Sequence, residues 1–499
     1  MAFGLGKPIL AMIAIATAGA AWMAVRRDQP PTDLRLWVFA GPQFNHYNDD
    51  LRRPFQQVFG KSLEVDLIPA RAMDMRLPVL FMSPGKSQEM PDAAEIEIGS
   101  VGRYLRPPVD EVGFLPLNSY LQSSGFRQIA SLDAPGQPGW TARLTTDGKL
   151  YTFIDHHWQL NPNRSRPDAW IDRILPSRLA TASKNGQIFA IPHDVHPTAL
   201  AFREDLFREA GVDLIDAAGK STVATWPDFQ KKCLQFQLYW RQHGFPHRHA
   251  IELPEANAGM LSIMLLQRHI NLIDADNHIH LNDPKTAQTL AFYVQLVAGD
   301  RKIGAEAAAE SGLEYNDLAE GNLCALFAPD WRIEFLKKYV PALAGKLRVI
   351  PLPRFDPADA PTASYGGTLI AIPRGCAHPD DAWNLIEYFY FSPAGLADRE
   401  NLGILPPLPE EWDKPQYGQG DPFFGNQKVL ELYSDLARQA PPIAITPVTG
   451  IALGTLSYVQ SKAVGYTRSH GPVGLENQCQ RWLDEAAVDL QRRIDHARF

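Results

Sequence analysis

Cysteine is scarce: Cys233, Cys324, Cys376 and Cys479 are the four in 499 residues, and no two of them form a C-x-x-C pair. That spacing excludes zinc ribbons and dithiol redox motifs. Cys233 and Cys324 lie within apolar patterns and read as buried thiols, with one extracytoplasmic disulfide as the alternative. A long block of single-sign charge is also missing, because 56 acidic and 48 basic residues are interspersed to give a net charge of -8. Phosphate backbones are bound by clustered basic faces, so no nucleic-acid partner is expected. The chain carries no nucleophile elbow, H-E-x-x-H motif or P-loop, and Gly366-Gly367 does not extend to a dinucleotide fingerprint. Internal repeats and low-complexity tracts are absent too. No catalytic residue, cofactor or metal is therefore expected.

The chain does have length and apolar content. With 45% hydrophobic and 10% aromatic residues, 499 positions exceed one ordinary domain and supply two packed cores. At the N-terminus, an apolar stretch from Pro8 to Val25 follows Lys7 and precedes Arg26-Arg27, with small residues at Ala18-Gly19-Ala20. Residues 1–30 read as a cleaved export signal, and retention of residues 8–25 as a membrane anchor is the alternative.

Strand and helix signals alternate along the first part. LRLWVF, LEVDLI and AAEIEIGS read as strands, separated by helical segments, which predicts α/β architecture with a largely parallel sheet and ligands beyond strand ends. Residues 133–184, rich in Pro, Asp and Arg and holding Trp158, read as helices and loops. From Gly186 a short apolar strand runs into the polar turn Pro192-His193-Asp194-Val195-His196. A second strand and a helix closed by Gly211 follow. Thr225 with Asp228 caps a helix bearing Phe229, Cys233, Phe236 and Trp240 on one face. Asp283-Pro284 begins another helix, and Asp380-Asp381 opens a third.

Other polar groupings are weak. His243 and His247 have helical spacing broken by Pro246, and alternating His278 and His280 fit one solvated strand face. The run Asp274, Asp276, Asn277 is similar to a calcium loop but lacks its glycine and terminal glutamate, Lys285 standing in twelfth place, so a hairpin tip is expected. Glu95 and Glu97 share one strand face, yet no second acid accompanies them as a glycosidase would require.

Several segments in order, GQIFAIPHDVHPTALAF, LAEGNLCALFAPDWRIEFL, GKLRVIPLPRF, SYGGTLIAIPRG and GILPPLPEEW, resemble the bacterial extracellular solute-binding proteins of the sugar-binding class, to which maltose-binding protein belongs. The resemblance covers about Leu34 to Arg493. It implies a two-lobe periplasmic-binding-protein fold of the type II kind, with a central ligand cleft and three hinge crossovers near residues 193–196, 328–332 and 364–373. Lobe 1 is expected at 33–196 plus 328–366, and lobe 2 at 199–327 plus 368–499. Under the same resemblance, residues 133–184 decorate the first lobe, with Trp158 at the cleft mouth. The implied ligand contacts are Trp37, Phe39, Asn45, Glu97, Asp194, His196, Asp330, Trp331, Tyr365, Gly366 and Gly367. Trp37 and Phe39, within an apolar strand, read equally as core. The implied function is capture of a small carbohydrate by a periplasmic or extracytoplasmic monomer, which delivers it to the membrane permease of an ABC importer. A membrane-anchored sugar sensor and a carbohydrate-active enzyme are the alternatives.

Overall fold

A computed structural model of the chain describes residues 32–39, 47–82, 89–123, 143–144, 150–154, 157–160, 169–274, 276–306 and 313–496. The expected signal at 1–30, Asn45 and the Trp158 side chain lie outside the described part. The two larger sheets use β1 (Leu34–Val38), β2 (Leu63–Leu67), β3 (Ala93–Glu97), β4 (Ile191–Pro192), β5 (Thr198–Arg203), β6 (Ala325–Pro329), β7 (Leu347–Pro351) and β8 (Thr368–Ala371). The helices that bear on the site are α1 (Ile98–Tyr104), α2 (Gly259–Gln267), α3 (Trp331–Tyr339), α4 (Pro379–Phe391) and α5 (Thr449–His470).

The first lobe holds a five-stranded sheet in the order β2-β1-β3-β8-β4. β1 runs parallel to β2 and β3, whereas β8 is antiparallel to both of its neighbours. Apart from Arg35, which pairs with Glu64 and Asp66 on β2, LRLWV is apolar on both faces because the sheet is covered on both. Leu34, Leu36 and Val38 pack with Phe55 and the α4 residues Trp383 and Phe389, while Trp37 packs with Leu77, Ile96 and Phe114 on the other side. The second lobe holds a three-stranded sheet, β6-β5-β7, antiparallel throughout. Leu200 and Phe202 of β5 join Trp226 and Phe327 on one face, and Ala199 and Ala201 join Leu326 and Leu336 on the other. The expectation of a largely parallel sheet thus holds only for β1 to β3.

Two further expectations need correction. Pairing of β6 and β7 with β5 puts residues 328–351 in the second lobe. Insertion of β8 between β3 and β4, with α4 packed beneath, puts residues from 368 through the helix Pro393–Asn401 in the first. The allocation of 328–366 to lobe 1 and of all of 368–499 to lobe 2 is therefore reversed for these segments. The chain returns to the second lobe by Trp412, which packs with Tyr433 and Leu436. In addition, residues 143–144, 150–154 and 157–160 form a small antiparallel sheet where helices and loops are expected.

Local capping follows the sequence. Thr225 accepts the Asp228 N–H at 3.2 Å at the start of the helix Trp226–Gln242, which buries Phe229, Cys233, Phe236 and Trp240. Asp283 accepts the Lys285 N–H at 2.7 Å ahead of the helix Pro284–Val297. All four cysteines are free thiols; Cys233, Cys324 and Cys479 are buried and Cys376 is half-buried. Among the described residues no helix is long and apolar enough to cross a membrane.

Candidate functional site: the hinge and the cleft above it

Among the described residues, three chain segments pass between the lobes side by side. The first spans 193–197, the second 364–367 and the third 403–408. They are stitched by backbone hydrogen bonds: His193 N–H to the Thr368 carbonyl at 2.9 Å, Tyr365 N–H to the His196 carbonyl at 3.0 Å, and Val195 N–H to the Leu405 carbonyl at 3.1 Å. The crossing expected at 328–332 is not one, because β6 ends there and the chain turns into α3 within the second lobe. The third crossing is the Gly403-Ile404-Leu405 segment.

A buried polar cluster fills the hinge. Asp194 accepts from Arg178 Nη2 at 3.1 Å and from the Thr368 N–H at 3.1 Å, and its carboxylate also meets Nδ1 of His193 and Nε2 of His196, each at 3.1 Å. Arg178 Nε donates to the Asp194 carbonyl at 2.9 Å. The other nitrogen of His196, Nδ1, meets Oδ1 of Asp330. With a carboxylate on each ring nitrogen, His196 carries both protons. Burial opposes that charge, but the fields of Asp194 and Asp330 outweigh it and raise its pKa to about 10. Burial alone would raise Asp194, yet His196 and His193 hold it well below the ordinary carboxylate range. His193 is pushed down to about 4 by burial and by nearby Arg399, so it stays neutral and donates Nδ1–H to Asp194.

The backbone is shaped to make this cluster possible. His196 has φ 55, in the left-handed region that a residue with a side chain enters only under constraint, and its ring is clamped at both ends. At Gly367, φ is 143 and a Cβ would stand 2.1 Å from Arg178 Nη2, so only glycine fits beside the Arg178–Asp194 pair.

Above the hinge lies a cleft of about 690 Å³. The structure brings to it Phe39 and Glu97 from the first lobe, Asp194 and His196 from the first crossing, and Trp331 from the second lobe. Tyr365, Gly366 and Gly367 complete it from the second crossing. Trp331, the first residue of α3, lies edge-on to Phe335 at 5.7 Å and directs its indole N–H toward the Tyr365 carbonyl at 3.4 Å. Glu97 ends β3 where α1 begins. Burial, with repulsion from Asp74 and Asp194, raises its pKa to about 7. Glu95, two residues earlier on the same face, is sealed from solvent. It accepts the Tyr390 hydroxyl at 3.3 Å and the Phe39 N–H at 3.4 Å, and burial raises it to about 8.

Two expected contacts do not reach the cleft. Trp37 is 4% exposed and belongs to the first-lobe core, because both faces of β1 are covered. Asp330 is wholly buried; besides His196 it accepts the Trp331 N–H at 2.8 Å and the Leu405 N–H at 2.9 Å, tying the second lobe to the third crossing. Sequence reasoning missed Arg178, whose side chain enters the hinge from the short helix Pro176–Ala180. It also missed the strap Ile443-Ala444-Ile445, which lines the cleft. The next strap residue, Thr446, lies so close to α1 that a Cβ on Gly102 would stand 2.2 Å from its carbonyl oxygen. Prolines on either side of the apolar triplet were the one available signal.

Asp274, Asp276 and His278 bring possible ligand atoms together at an exposed turn. The Asp274 carboxylate is taken up by the Asp276 and His278 N–H groups at 2.9 Å and by the rings of His278 and His280 at 3.1 Å, as a hairpin tip requires.

The family model described as bacterial extracellular solute-binding protein matches residues 128–421. An arabinooligosaccharide-binding protein of Halalkalibacterium halodurans is 23% identical over 309 residues, which is 60% of this chain and 65% of that protein. A second arabinooligosaccharide-binding protein, from Bacillus subtilis, is 25% identical over 243 residues, 48% of this chain and 53% of that protein. The chain thus matches less than two thirds of the length of either relative. Among solved structures, the sugar-binding protein MalE of Xanthomonas citri superimposes with a TM-score of 0.65 at 16% identity, covering 93% of this chain and 99% of that one. The ABC transporter associated binding protein of B. animalis subsp. lactis, in complex with β-1,6-galactobiose, gives 0.62 at 16% identity over 91% and 97%. At such identity these likenesses establish the fold, two α/β lobes about a central cleft. Because the family model spans more than half of the sequence, the chain belongs to the bacterial extracellular solute-binding proteins.

Proposed function

We propose that this protein captures a carbohydrate between its lobes outside the cytoplasm and delivers it, as a monomer, to the permease of an ABC importer. The observation that carries the proposal is the cleft directly above three hydrogen-bonded crossings, with Glu97 on one lobe, Trp331 on the other, and the Gly366-Gly367 backbone between them. A sugar presents apolar ring faces and a rim of hydroxyls, which calls for an aromatic platform beside a carboxylate and open backbone groups. Trp331, Tyr365 and Phe39 are the proposed platforms, and Glu97 the proposed hydroxyl acceptor. Closure about the hinge excludes water, and preferential binding to the closed form lets the sugar shift the population. The names of the relatives, which bind arabinooligosaccharide and β-1,6-galactobiose, support the substrate class. Capture is favoured over catalysis because Glu95 is taken up by the Tyr390 contact and Asp194 by Arg178 and two histidines, so among the described residues no second carboxylate is left unengaged beside Glu97 in the cleft.

A thermal-shift screen of the purified protein against mono- and oligosaccharides, polyols and phosphorylated polyols tests the proposal. A ligand that binds only the folded form raises the melting temperature. At least one glycan is expected to do so, and a flat response across all glycans would remove carbohydrate as the substrate class.

A further inference from the structure

The polar side chains around the cleft are largely spent on the protein itself. Asn271 Oδ1 accepts the Ala444 N–H at 2.9 Å and its Nδ2 donates to the Pro442 carbonyl at 3.3 Å. Ser262 donates to the Gly259 carbonyl at 2.7 Å, and Thr449 accepts the Thr446 N–H at 2.8 Å. Asp194 and His196, 1% and 5% exposed, face each other and their buried partners. Glu97 lies against the Gly99 and Ser100 backbone N–H groups at the start of α1, but among the described residues no cation lies within ion-pair distance of it, and it lines the cleft beside the Gly366-Gly367 backbone.

Another part of the lining is aliphatic. Leu266 of α2, Leu272, Leu453 of α5, and the strap residues Ile443 and Ile445 line it, each half-buried rather than sealed. The sequence of α2, GMLSIMLLQ, is apolar around nearly its whole circumference, as in a helix covered on all sides, yet Leu266 opens onto the cleft. An unsubstituted oligosaccharide laid along this wall would strand hydroxyls against carbon, which costs the hydrogen bonds they make in water. An apolar group would instead cover surface that water now wets.

We infer that the preferred ligand is an amphipathic glycoside, its sugar at the hinge against Glu97 and the Gly366-Gly367 backbone, its alkyl or aryl aglycone against Leu266, Leu272, Leu453 and the Ile443–Ile445 strap. This inference rests on the carbohydrate reading above and narrows it to glycosides whose aglycone is apolar.

Calorimetric titration of the purified protein with methyl, butyl and hexyl glycosides of common hexoses and pentoses, kept below micelle-forming concentrations, tests it. Unmodified oligosaccharides and 1-hexanol serve as comparators. Affinity is expected to rise about fourfold per added methylene, the value of one buried CH₂. Leu453→Asn and Leu266→Asn, checked for unchanged melting temperature, are each expected to flatten that dependence while leaving the methyl glycoside unaffected. Oligosaccharides binding as well as or better than hexyl glycosides, or methyl and hexyl glycosides binding alike, would overturn the inference and leave carbohydrate capture standing. Hexanol binding as tightly as the hexyl glycoside would overturn the placement of the sugar. Binding of no glycan of any kind would bring down the carbohydrate reading and the inference together.

Discussion

His196 and Asp330, 134 positions apart, meet at the hinge with ring nitrogen Nδ1 against carboxylate oxygen Oδ1, and the same imidazole reaches Asp194 through Nε2 at 3.1 Å. One buried cation thus joins a carboxylate of the first crossing to one at the end of β6. Replacing His196 by Ala leaves two buried carboxylates facing a gap. Removing one partner of a buried ionic group costs about 3–5 kcal/mol. Urea unfolding of His196→Ala is expected to show a loss of that order, and a loss under about 1 kcal/mol would mean that the cluster contributes little to the fold.

Stability should fall on both sides of a mildly acidic optimum. His196 has a folded pKa raised to about 10 from 6.5, so its contribution is complete below 6.5 and is lost as pH rises toward 10. Glu95, raised to about 8 from 4.5, is favoured in its neutral form, and its contribution fades between those values as pH rises. His193, lowered to about 4 from 6.5, acts the other way, and its contribution fades as pH falls from 6.5 toward 4. Glu97, raised to about 7 from 4.5, adds to the Glu95 loss, so a melting-temperature profile from pH 4 to pH 10 should decline on the alkaline side, first through the two carboxyls and then through His196. Glu95→Gln should reduce the earlier loss and leave the His196 loss in place, and an unchanged profile in that variant would contradict the assignment.

Gly367→Ala places a methyl group 2.1 Å from Arg178 Nη2 at φ 143. Backbone strain of that kind costs about 1–3 kcal/mol, and the Arg178–Asp194 pair must move as well. Both the melting temperature and glycan affinity should drop. Gly345→Ala, also at positive φ but with open space around the position of its Cβ, should lower stability without touching affinity.

Glu97 at about pKa 7 predicts pH-dependent binding. The carboxylate accepts sugar hydroxyls better than the neutral acid, so affinity should rise as pH increases through 7, and Glu97→Gln should abolish the dependence. Trp331→Ala should weaken binding about 10- to 100-fold through loss of the stacking platform, with Trp331→Phe intermediate. Equal affinities in titrations of wild type and Trp331→Ala would remove Trp331 from the site.

The polar turn between β4 and β5 was legible because three polar residues between two apolar strands, His193, Asp194 and His196, have nowhere to sit but a junction. The lobe assignment of β6 and β8 was not: ALFAP and TLIA are both short, apolar and buried throughout, and nothing in such a run says which sheet it enters. Trp37 was ambiguous for the same reason, since a strand covered on both faces shows no alternation. Arg178 carried no local signal, because its role arises only when the short helix that bears it docks on the first crossing. Apart from the prolines flanking its strap, the aliphatic wall carried no signal of its own, because apolar periodicity marks burial but does not say whether protein or ligand provides it.

A crystal structure of the protein with the glycan that most raises its melting temperature tests the central claim most directly. The account predicts one ligand between the lobes, its sugar within hydrogen-bond distance of Glu97 and the Gly366-Gly367 backbone and in contact with the Trp331 ring. Ligand density elsewhere on the molecule, with this cleft holding only water, would contradict it.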